Sequence, residues 1–209
     1  MDDFELRPGH PPELTGGPGE PWLVKAAIPF LNQHLDGRWR GLEWGGGSST
    51  PWYLNRLSSL ITIEHDRDWY DRLRSHLFGA KRFEILKRDD PASWQLLWLP
   101  ATETGDVHYR GSNGRFYKQY VCSAALHGTY QFIAIDGRAR CACLALAASL
   151  LYTPKRLGGG LVVLDNSERD EYQEAIRDCI PPEWQRHDFH NGEWQTTAWR
   201  VPPGWQKEA

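Results

Sequence analysis

Strand-like and helix-like stretches alternate along most of this chain, and this alternation restricts the fold more than any other feature. Five short apolar runs have the length of buried strands: RGLEW from Arg40, LITIEHD from Leu60, RFEILK from Arg82, YQFIAIDG from Tyr130 and GGGLVVLD from Gly158. Amphipathic runs predict helices at about 22–35, 48–57, 67–79, 115–128, 140–153 and 167–180. Two β-rich runs around HNGE predict a terminal hairpin. We therefore expect an α/β three-layer sandwich with a mostly parallel sheet.

The chain divides into a short arm and one larger unit. Residues 1–20 are acidic and rich in proline and glycine, so we expect a flexible N-terminal arm before a single domain at 21–205. The segment at about 89–115 is too long for an ordinary connection and predicts an insert with a functional role. Aromatic residues in and just after this insert could wall an acceptor pocket or fill core: Trp94, Trp98, Tyr109, Tyr117 and Tyr120.

Composition argues against several classes of partner. The net charge is -3, the isoelectric point is about 6.2, and no basic run is present, so we expect no nucleic-acid partner. No apolar run approaches the roughly 20 residues of a membrane helix. The four cysteines include no C-x-x-C pair and are interpreted as reduced, buried thiols. These features predict a cytoplasmic protein and leave homo-oligomerisation open.

Three consecutive glycines, Gly45–Gly47, directly follow the first predicted strand. Glycines are kept where the backbone takes positive φ or where another group comes very close, and the first strand-to-helix turn of an open α/β sheet is a usual ligand cradle. A triphosphate loop requires a lysine after its glycines, and none follows here. A dinucleotide motif requires a third glycine where this chain has Thr50. The remaining class is S-adenosylmethionine, whose positive methionine end Glu43 could favour directly or through water, with Gly47 closest to the cofactor.

A second carboxylate, Glu64, ends the second predicted strand. A carboxylate at this place can accept hydrogen bonds from both ribose hydroxyls of an adenosine ligand and would repel a 2′-phosphate. Together with the glycine turn it predicts an adenosine-type ligand. The simpler alternative is a tight turn with two solvated acids.

Five stretches together resemble the class I S-adenosylmethionine-dependent methyltransferases, and more narrowly small bacterial members of unassigned substrate: GLEWGGGSSTPWYL, LITIEHDRDWYDRL, FIAIDGRARCACLALA, GGGLVVLDNSERDEY and WQTTAWR. The resemblance spans most of 22–201 and weakens over 89–115. It implies a Rossmann-like, seven-stranded sheet with an antiparallel last strand. It also implies that S-adenosylmethionine contacts residues at the ends of the first, second and fourth strands, namely Glu43, Trp44, Gly45, Gly46, Gly47, Ser49, Glu64, His65, Asp136 and Gly137.

Three further polar residues end the fourth and fifth predicted strands: Asp136, Asp165 and Asn166. This layout is similar to that of the catechol and caffeoyl-coenzyme A type O-methyltransferases, whose divalent metal takes two aspartates and an asparagine from these places. The similarity implies a Mg²⁺ site that holds the acceptor hydroxyl and lowers its pKa. It departs at Ala139, where that family has a lysine general base.

Other interpretations of the same residues stay open. Asp165 and Asn166 could shape the turn into the next helix, and Asp136 could pair with Arg138 or Arg140. Either arginine could instead clamp a carboxylate or phosphate of the acceptor. We expect Asp136 and Arg138 to be the catalytic residues.

The leading hypothesis is methyl transfer to a small-molecule acceptor, with oxygen favoured over nitrogen. Alternatives are an aminopropyltransferase-like enzyme and a cofactor-binding module without catalysis of its own, and a protein acceptor is not excluded. The paired arginines argue against a cationic acceptor.

Overall fold

Seven strands form one sheet in the computed structural model, which describes residues 21–78 and 94–205. The strands are β1 (Arg40–Trp44), β2 (Ser59–Glu64), β3 (Trp94–Trp98), β4 (Phe132–Ile135), β5 (Gly160–Asp165), β6 (Gln185–His190) and β7 (Gln195–Val201). They lie in the order β3-β2-β1-β4-β5-β7-β6. The first five of these are mutually parallel, whereas β7 runs antiparallel to both β5 and β6. This confirms the predicted seven-stranded sheet with its antiparallel last strand.

Helices cover both faces of the sheet. They are α1 (Ala27–His34), α2 (Ser49–Leu54), α3 (Arg67–Phe78), α4 (Lys118–Cys122), α5 (Arg140–Leu150) and α6 (Asp170–Cys179). Neighbouring side chains of β4 point to opposite faces: Phe132 and Ala134 pack with α1, α2 and α3, whereas Ile133 and Ile135 pack with α4, α5 and α6. Two cores separated by the sheet make the three layers that the alternating pattern predicted.

The third described strand comes later in the chain than the run expected to form it. The run RFEILK lies outside the described residues and stays a prediction, and β3 is WQLLW, paired in parallel with β2 so that Trp98 lies opposite Glu64. Trp94 is buried, and its Nε1 donates a hydrogen bond to Thr62 Oγ1 at 3.0 Å. The first part of the expected insert is therefore a strand of the sheet, because its apolar residues complete the edge beside β2. Of the two alternatives for these residues, Trp94 follows the one in which it fills core, whereas Trp98 is 38% exposed at the end of β3.

Of the remaining expectations about chain organisation, the terminal hairpin is confirmed and the N-terminal arm is not tested. The terminal hairpin is present as β6 and β7. The N-terminal arm 1–20 lies outside the described residues, so its flexibility stays a prediction. Within residues 21–78 and 94–205, no helix combines the length and the apolar character needed to span a bilayer.

The order of the strands places a ligand site at one point of the sheet. β1 has β2 on one side and β4 on the other, so the connections that leave β1 and β4 diverge to opposite faces at their carboxyl ends. In open α/β sheets a crevice forms at such a switch point. The glycine turn after β1 and the aspartate after β4 both lie there.

Candidate functional site

A cleft with a cavity volume of about 270 Å³ opens at the carboxyl ends of β1, β2 and β4. The turns after these strands supply most of its lining: Gly45 to Ser49, Glu64 to Asp66, and Asp136 to Arg138. Asp68, Trp69 and Arg72 of α3 form one wall, and Trp22, which precedes α1, also borders the cleft. The structure thus brings the three predicted groups of residues together around one space.

Gly45 and Gly137 pack backbone against backbone on the floor of this cleft. Gly45 has φ +90°, and a Cβ placed there would lie 2.5 Å from Gly137 Cα. A Cβ on Gly46 would meet Leu73 Cδ1 at 2.5 Å and Thr62 Cγ2 at 2.7 Å. The close approach expected at the glycine turn is therefore found inside the protein, where the backbone of the turn after β1 packs against the backbone of the turn after β4.

Gly47 differs from the two glycines before it. A Cβ on Gly47 would meet only Trp69, at 3.7 Å from Nε1, which is ordinary van der Waals contact. The protein itself therefore leaves room for a Cβ at this position, and the expected closeness of Gly47 to the cofactor stays a prediction. What Gly47 keeps open is space on the cleft side, which it borders.

Glu64 joins two of the turns. Its Oε2 accepts the backbone N–H of Gly46 at 2.9 Å, and its Oε1 accepts the backbone N–H groups of His65 and Asp66, each at 2.7 Å. The residue is 2% exposed, yet its side chain borders the cleft. The carboxylate thus fixes the glycine turn from a nearly buried position at the cleft.

His65 lies beside Glu64 in the cleft wall. Its Nδ1 is 2.8 Å from Glu64 Oε1, and its ring meets the rings of Tyr117 and Tyr120 edge to face, at centroid distances of 5.5 and 5.7 Å. Tyr117 and Tyr120 are buried, so both follow the alternative in which these aromatic residues fill core, and their rings pack against His65.

Glu43 does not face the cleft, which corrects the expectation of a direct cofactor contact. It is fully buried, its Oε1 accepts Ser49 Oγ at 2.9 Å, and its Oε2 accepts Thr50 Oγ1 at 2.7 Å and Thr62 Oγ1 at 2.9 Å. Thr50 Oγ1 in turn accepts the Gly47 N–H at 2.9 Å. Both oxygens are used inside the protein, so Glu43 positions the turn and the start of α2.

Burial dominates the electrostatics of Glu43. It raises the pKa of this carboxyl to about 7, although the three hydroxyl donors from Thr50, Ser49 and Thr62 act in the opposite direction. Ser49 borders the cleft, but its hydroxyl is directed at Glu43. Trp44 is also buried away from the cleft, where its Nε1 donates to the carbonyl of Tyr120 at 3.1 Å, so its predicted cofactor contact is corrected as well.

Arg140 connects the ends of β4 and β5. It is only 4% exposed, and its Nη2 donates to Asp136 Oδ1 at 3.0 Å and to the Asp136 carbonyl at 2.8 Å. Its Nη1 donates to the Asp165 carbonyl and, at 3.3 Å, to Asn166 Oδ1, while Nε donates to the Gly137 carbonyl at 2.9 Å. This pairing is one of the alternatives drawn from the sequence, and it satisfies the orphan carbonyls of both turns.

The residues at these strand ends do not fit a Mg²⁺ ion. The guanidinium of Arg140 bonds Asp136 and Asn166, two of the three predicted ligands, and Asp165 Oδ1 instead accepts Thr196 Oγ1 at 2.8 Å. A buried cation within hydrogen-bond distance of the oxygens repels a second one. Among the described residues no group of three histidines, cysteines or carboxylates is arranged for a metal ion. The predicted metal site is corrected to an arginine-centred polar network.

Asp136 keeps part of its side chain in the cleft. The side chain is 32% exposed, and Arg140 holds one of its two oxygens. Burial and the neighbouring carboxyl of Asp165 raise the pKa of Asp136, whereas Arg140 opposes the rise. The exposed third of the side chain and the ion pair with Arg140 moderate this shift. Arg138 borders the same cleft from the turn after β4.

Several lining residues were not anticipated from the sequence. Asp68, Trp69 and Arg72 face the cleft from the first turns of α3, and the Nε1 of Trp69 donates to the Gly46 carbonyl. Their spacing along one helical face was a usable signal, because residues three and four apart share a face. Nothing in the sequence around Trp22 pointed to the cleft.

Neither protein-family models nor curated protein sequences match this chain. Solved structures match it by fold. A methyltransferase-like protein from Silicibacter pomeroyi has a TM-score of 0.59 at 16% identity, over 90% of this chain and 91% of its own. A candidate methyltransferase from Streptococcus mutans, in complex with S-adenosylhomocysteine, has a TM-score of 0.56 at 9% identity, over 88% and 100%. An rRNA methylase from Streptococcus thermophilus has 0.55 at 10%, over 85% and 95%. At these identities the likeness establishes a shared fold.

Proposed function

We propose that this chain, which has the Rossmann-like fold of the class I S-adenosylmethionine-dependent methyltransferases, binds S-adenosylmethionine and transfers its methyl group to a small-molecule hydroxyl. One observation carries the proposal: the glycine turn after β1 and the carboxylate ending β2 border one cleft and are hydrogen-bonded to each other through Gly46 and Glu64. This pairing suits an adenosine ligand because the turn admits close approach and the carboxylate accepts ribose hydroxyls.

The cofactor is assigned to the cleft by charge and hydrogen-bonding capacity. Oε2 of Glu64 accepts one hydrogen bond from the described residues, and a carboxylate oxygen accepts two, so a ribose hydroxyl can donate to it. Asp136 lies across the Gly45–Gly137 contact and, when deprotonated, supplies negative charge toward the sulfonium end. The cofactor contacts therefore come from Gly45–Gly47, Glu64, His65 and Gly137, with Asp136 at the reacting end.

The chemistry needs little more than alignment and a proton acceptor. The acceptor oxygen attacks the methyl carbon in line, the C–O bond forms, and the C–S bond breaks with its electron pair returning to sulfur, which leaves S-adenosylhomocysteine. We assign Asp136 as the group that takes the hydroxyl proton, because Arg140 holds one of its oxygens and the raised pKa makes the carboxylate a stronger base. Arg138, which cannot accept a proton, orients the acceptor.

Charge at the cleft supports a small acceptor over a polyphosphate chain. Glu64, Asp66, Asp68 and Asp136 border it against two arginines, Arg72 and Arg138. A nucleic-acid site normally shows the reverse balance, since phosphate contacts come from basic side chains. The same carboxylates favour a second candidate, aminopropyl transfer to a polyamine from decarboxylated S-adenosylmethionine.

Product analysis tests these assignments. The protein is incubated with S-adenosylmethionine or its decarboxylated form, together with either a hydroxylated aromatic and sugar pool or putrescine and spermidine. Methyl transfer releases S-adenosylhomocysteine in excess over protein, whereas aminopropyl transfer releases 5′-methylthioadenosine. Binding of S-adenosylmethionine with neither product would leave a binding module and overturn the enzymatic proposal.

Chelation tests the role given to Asp136 and Arg140. Because an arginine lies among the strand-end oxygens, we expect turnover to be unchanged by EDTA and by added Mg²⁺. Loss of turnover in EDTA with recovery in Mg²⁺ would contradict the assignment of proton transfer to Asp136 alone.

A further inference from the structure

Trp22 stands at the cleft with most of its indole uncovered. It borders the cavity, yet 64% of the residue is exposed, the largest fraction of any tryptophan among the described residues. Leaving so large an apolar surface in water is unfavourable. An exposed indole beside a ligand cavity is a surface that a ligand can cover.

The backbone on both sides of Trp22 is anchored. Pro21 and Val24 are buried, and the N–H of Val24 donates to Thr196 Oγ1 at 3.2 Å. Thr196 Oγ1 donates onward to Asp165 Oδ1 at 2.8 Å, at the end of β5. The segment that carries the indole is therefore hydrogen-bonded to the sheet at the carboxyl end of β5. This strand lies beside β4, which is followed by the proposed proton acceptor Asp136.

The second indole of the cleft, that of Trp69, is used in contacts within the protein. Trp69 is half-buried, packs against the core between the sheet and the first three helices, and uses its Nε1 on the Gly46 carbonyl. Apart from these two tryptophans, the described lining consists of glycine, hydroxyl, charged and imidazole groups. Trp22 is thus the largest uncovered apolar surface that the cleft offers.

We infer that Trp22 is the stacking platform for the ring of the methyl acceptor and makes the cleft selective for planar, hydroxylated aromatic compounds. This inference rests on the proposed function, because it assumes that the cofactor occupies the hydrophilic floor of the cleft and leaves Trp22 to the acceptor. A planar ring covers the indole face over a large area and gains an offset-stacked aromatic contact, which a saturated ring of the same skeleton cannot match.

The test compares two probes on the full-length chain. Calorimetry first measures S-adenosylhomocysteine binding, and 2-naphthol or decahydro-2-naphthol is then titrated into the saturated complex. We expect 2-naphthol to bind at least about tenfold more tightly than its saturated analogue, as one aromatic stacking contact provides. Trp22→Ala removes most of that preference and Trp22→Phe retains it, while both leave S-adenosylhomocysteine affinity unchanged.

A matched control distinguishes an effect specific to Trp22 from the removal of any exposed aromatic side chain. Tyr152, 46% exposed, follows α5 at the opposite edge of the sheet, and Tyr152→Ala should bind both probes as the wild type does. Equal binding of the two naphthol probes by the wild type, or unchanged 2-naphthol affinity in Trp22→Ala, would overturn the inference. So would weaker S-adenosylhomocysteine binding in Trp22→Ala, because Trp22 would then contact the cofactor.

The two proposals fail separately. If S-adenosylhomocysteine does not bind the wild type, the proposed function is overturned. The naphthol titrations are then made on the chain alone, where a lost preference in Trp22→Ala supports the aromatic platform and its absence overturns it.

Discussion

Glu64 at the end of β2 accepts the backbone N–H of Gly46 in the turn after β1, at 2.9 Å. The two features that separately point to an adenosine ligand are therefore one hydrogen-bonded unit. A ligand that uses Glu64 also meets a glycine turn already held in place, so little ordering is required when it binds.

Replacing Glu64 by glutamine should weaken S-adenosylmethionine binding by on the order of 1.5–3 kcal/mol, because it removes the charge from hydrogen bonds to the ribose. Glutamine keeps an oxygen for the N–H groups of His65 and Asp66, but its NH₂ group then faces the Gly46 N–H, so thermal unfolding of the variant is measured beside its affinity. Calorimetry on the two proteins measures the change, with Glu174→Gln on the exposed face of α6 as control. Equal affinities for wild type and Glu64→Gln would remove the ribose assignment.

Alanine at two positions of the glycine turn should act differently. Gly45→Ala should lower the free energy of unfolding by about 2 kcal/mol or more, because φ is +90° and the new Cβ meets Gly137. Gly47→Ala should leave the melting temperature nearly unchanged and weaken cofactor binding from the cleft side. Thermal unfolding and calorimetry separate the two effects. A stable Gly45→Ala protein would contradict the close packing of the turns.

Turnover should fall on acidification at a higher pH than an ordinary carboxylate would cause. Burial and Asp165 raise the pKa of Asp136, and a base must be deprotonated to act, so activity is lost as the pH falls through that raised value. Asp136→Asn should lower kcat by a factor of about 10²–10⁴ and abolish the loss of activity on the acid side of the pH–rate profile. Asp178→Asn, an exposed change on α6, is the control. An unaltered acid limb in Asp136→Asn would assign the proton transfer elsewhere.

Glu43 should make the protein less stable as the pH rises. Its folded pKa of about 7 lies above the ordinary glutamate value of 4.5, so the folded state keeps the proton to a higher pH than the unfolded state does. The associated stability is present below pH 4.5 and is lost as the pH rises to about 7, which amounts to roughly 3 kcal/mol. Denaturant unfolding between pH 4.5 and 7.5 should show a flatter dependence for Glu43→Gln than for wild type. Parallel curves would contradict the buried, proton-binding state of Glu43.

Most strands of the sheet could be predicted because short local patterns in the sequence indicate where they begin and end. Apolar runs of four to six residues followed by turn residues mark β1, β2, β4 and β5, and the run around HNGE marks the hairpin of β6 and β7. WQLLW was not predicted as a strand, because it lies in the segment that was interpreted as an insert. Only pairing with β2, which buries Trp94 against Thr62, distinguishes the edge strand that forms.

The alternating pattern of the sequence was enough to predict that the turns after β1, β2 and β4 meet, because the carboxyl ends of parallel strands share one edge. It did not determine where each side chain points. Glu43 and Glu64 both lie at or near the carboxyl end of a strand, but Glu43 lies one residue before the strand end and is buried away from the cleft, whereas Glu64 ends its strand at the cleft. Likewise, Arg140 among the predicted metal ligands and Trp22 at the cleft come from contacts between residues far apart in the chain. Tertiary packing decided these features, since burial and pairing of charges depend on which distant groups approach one another.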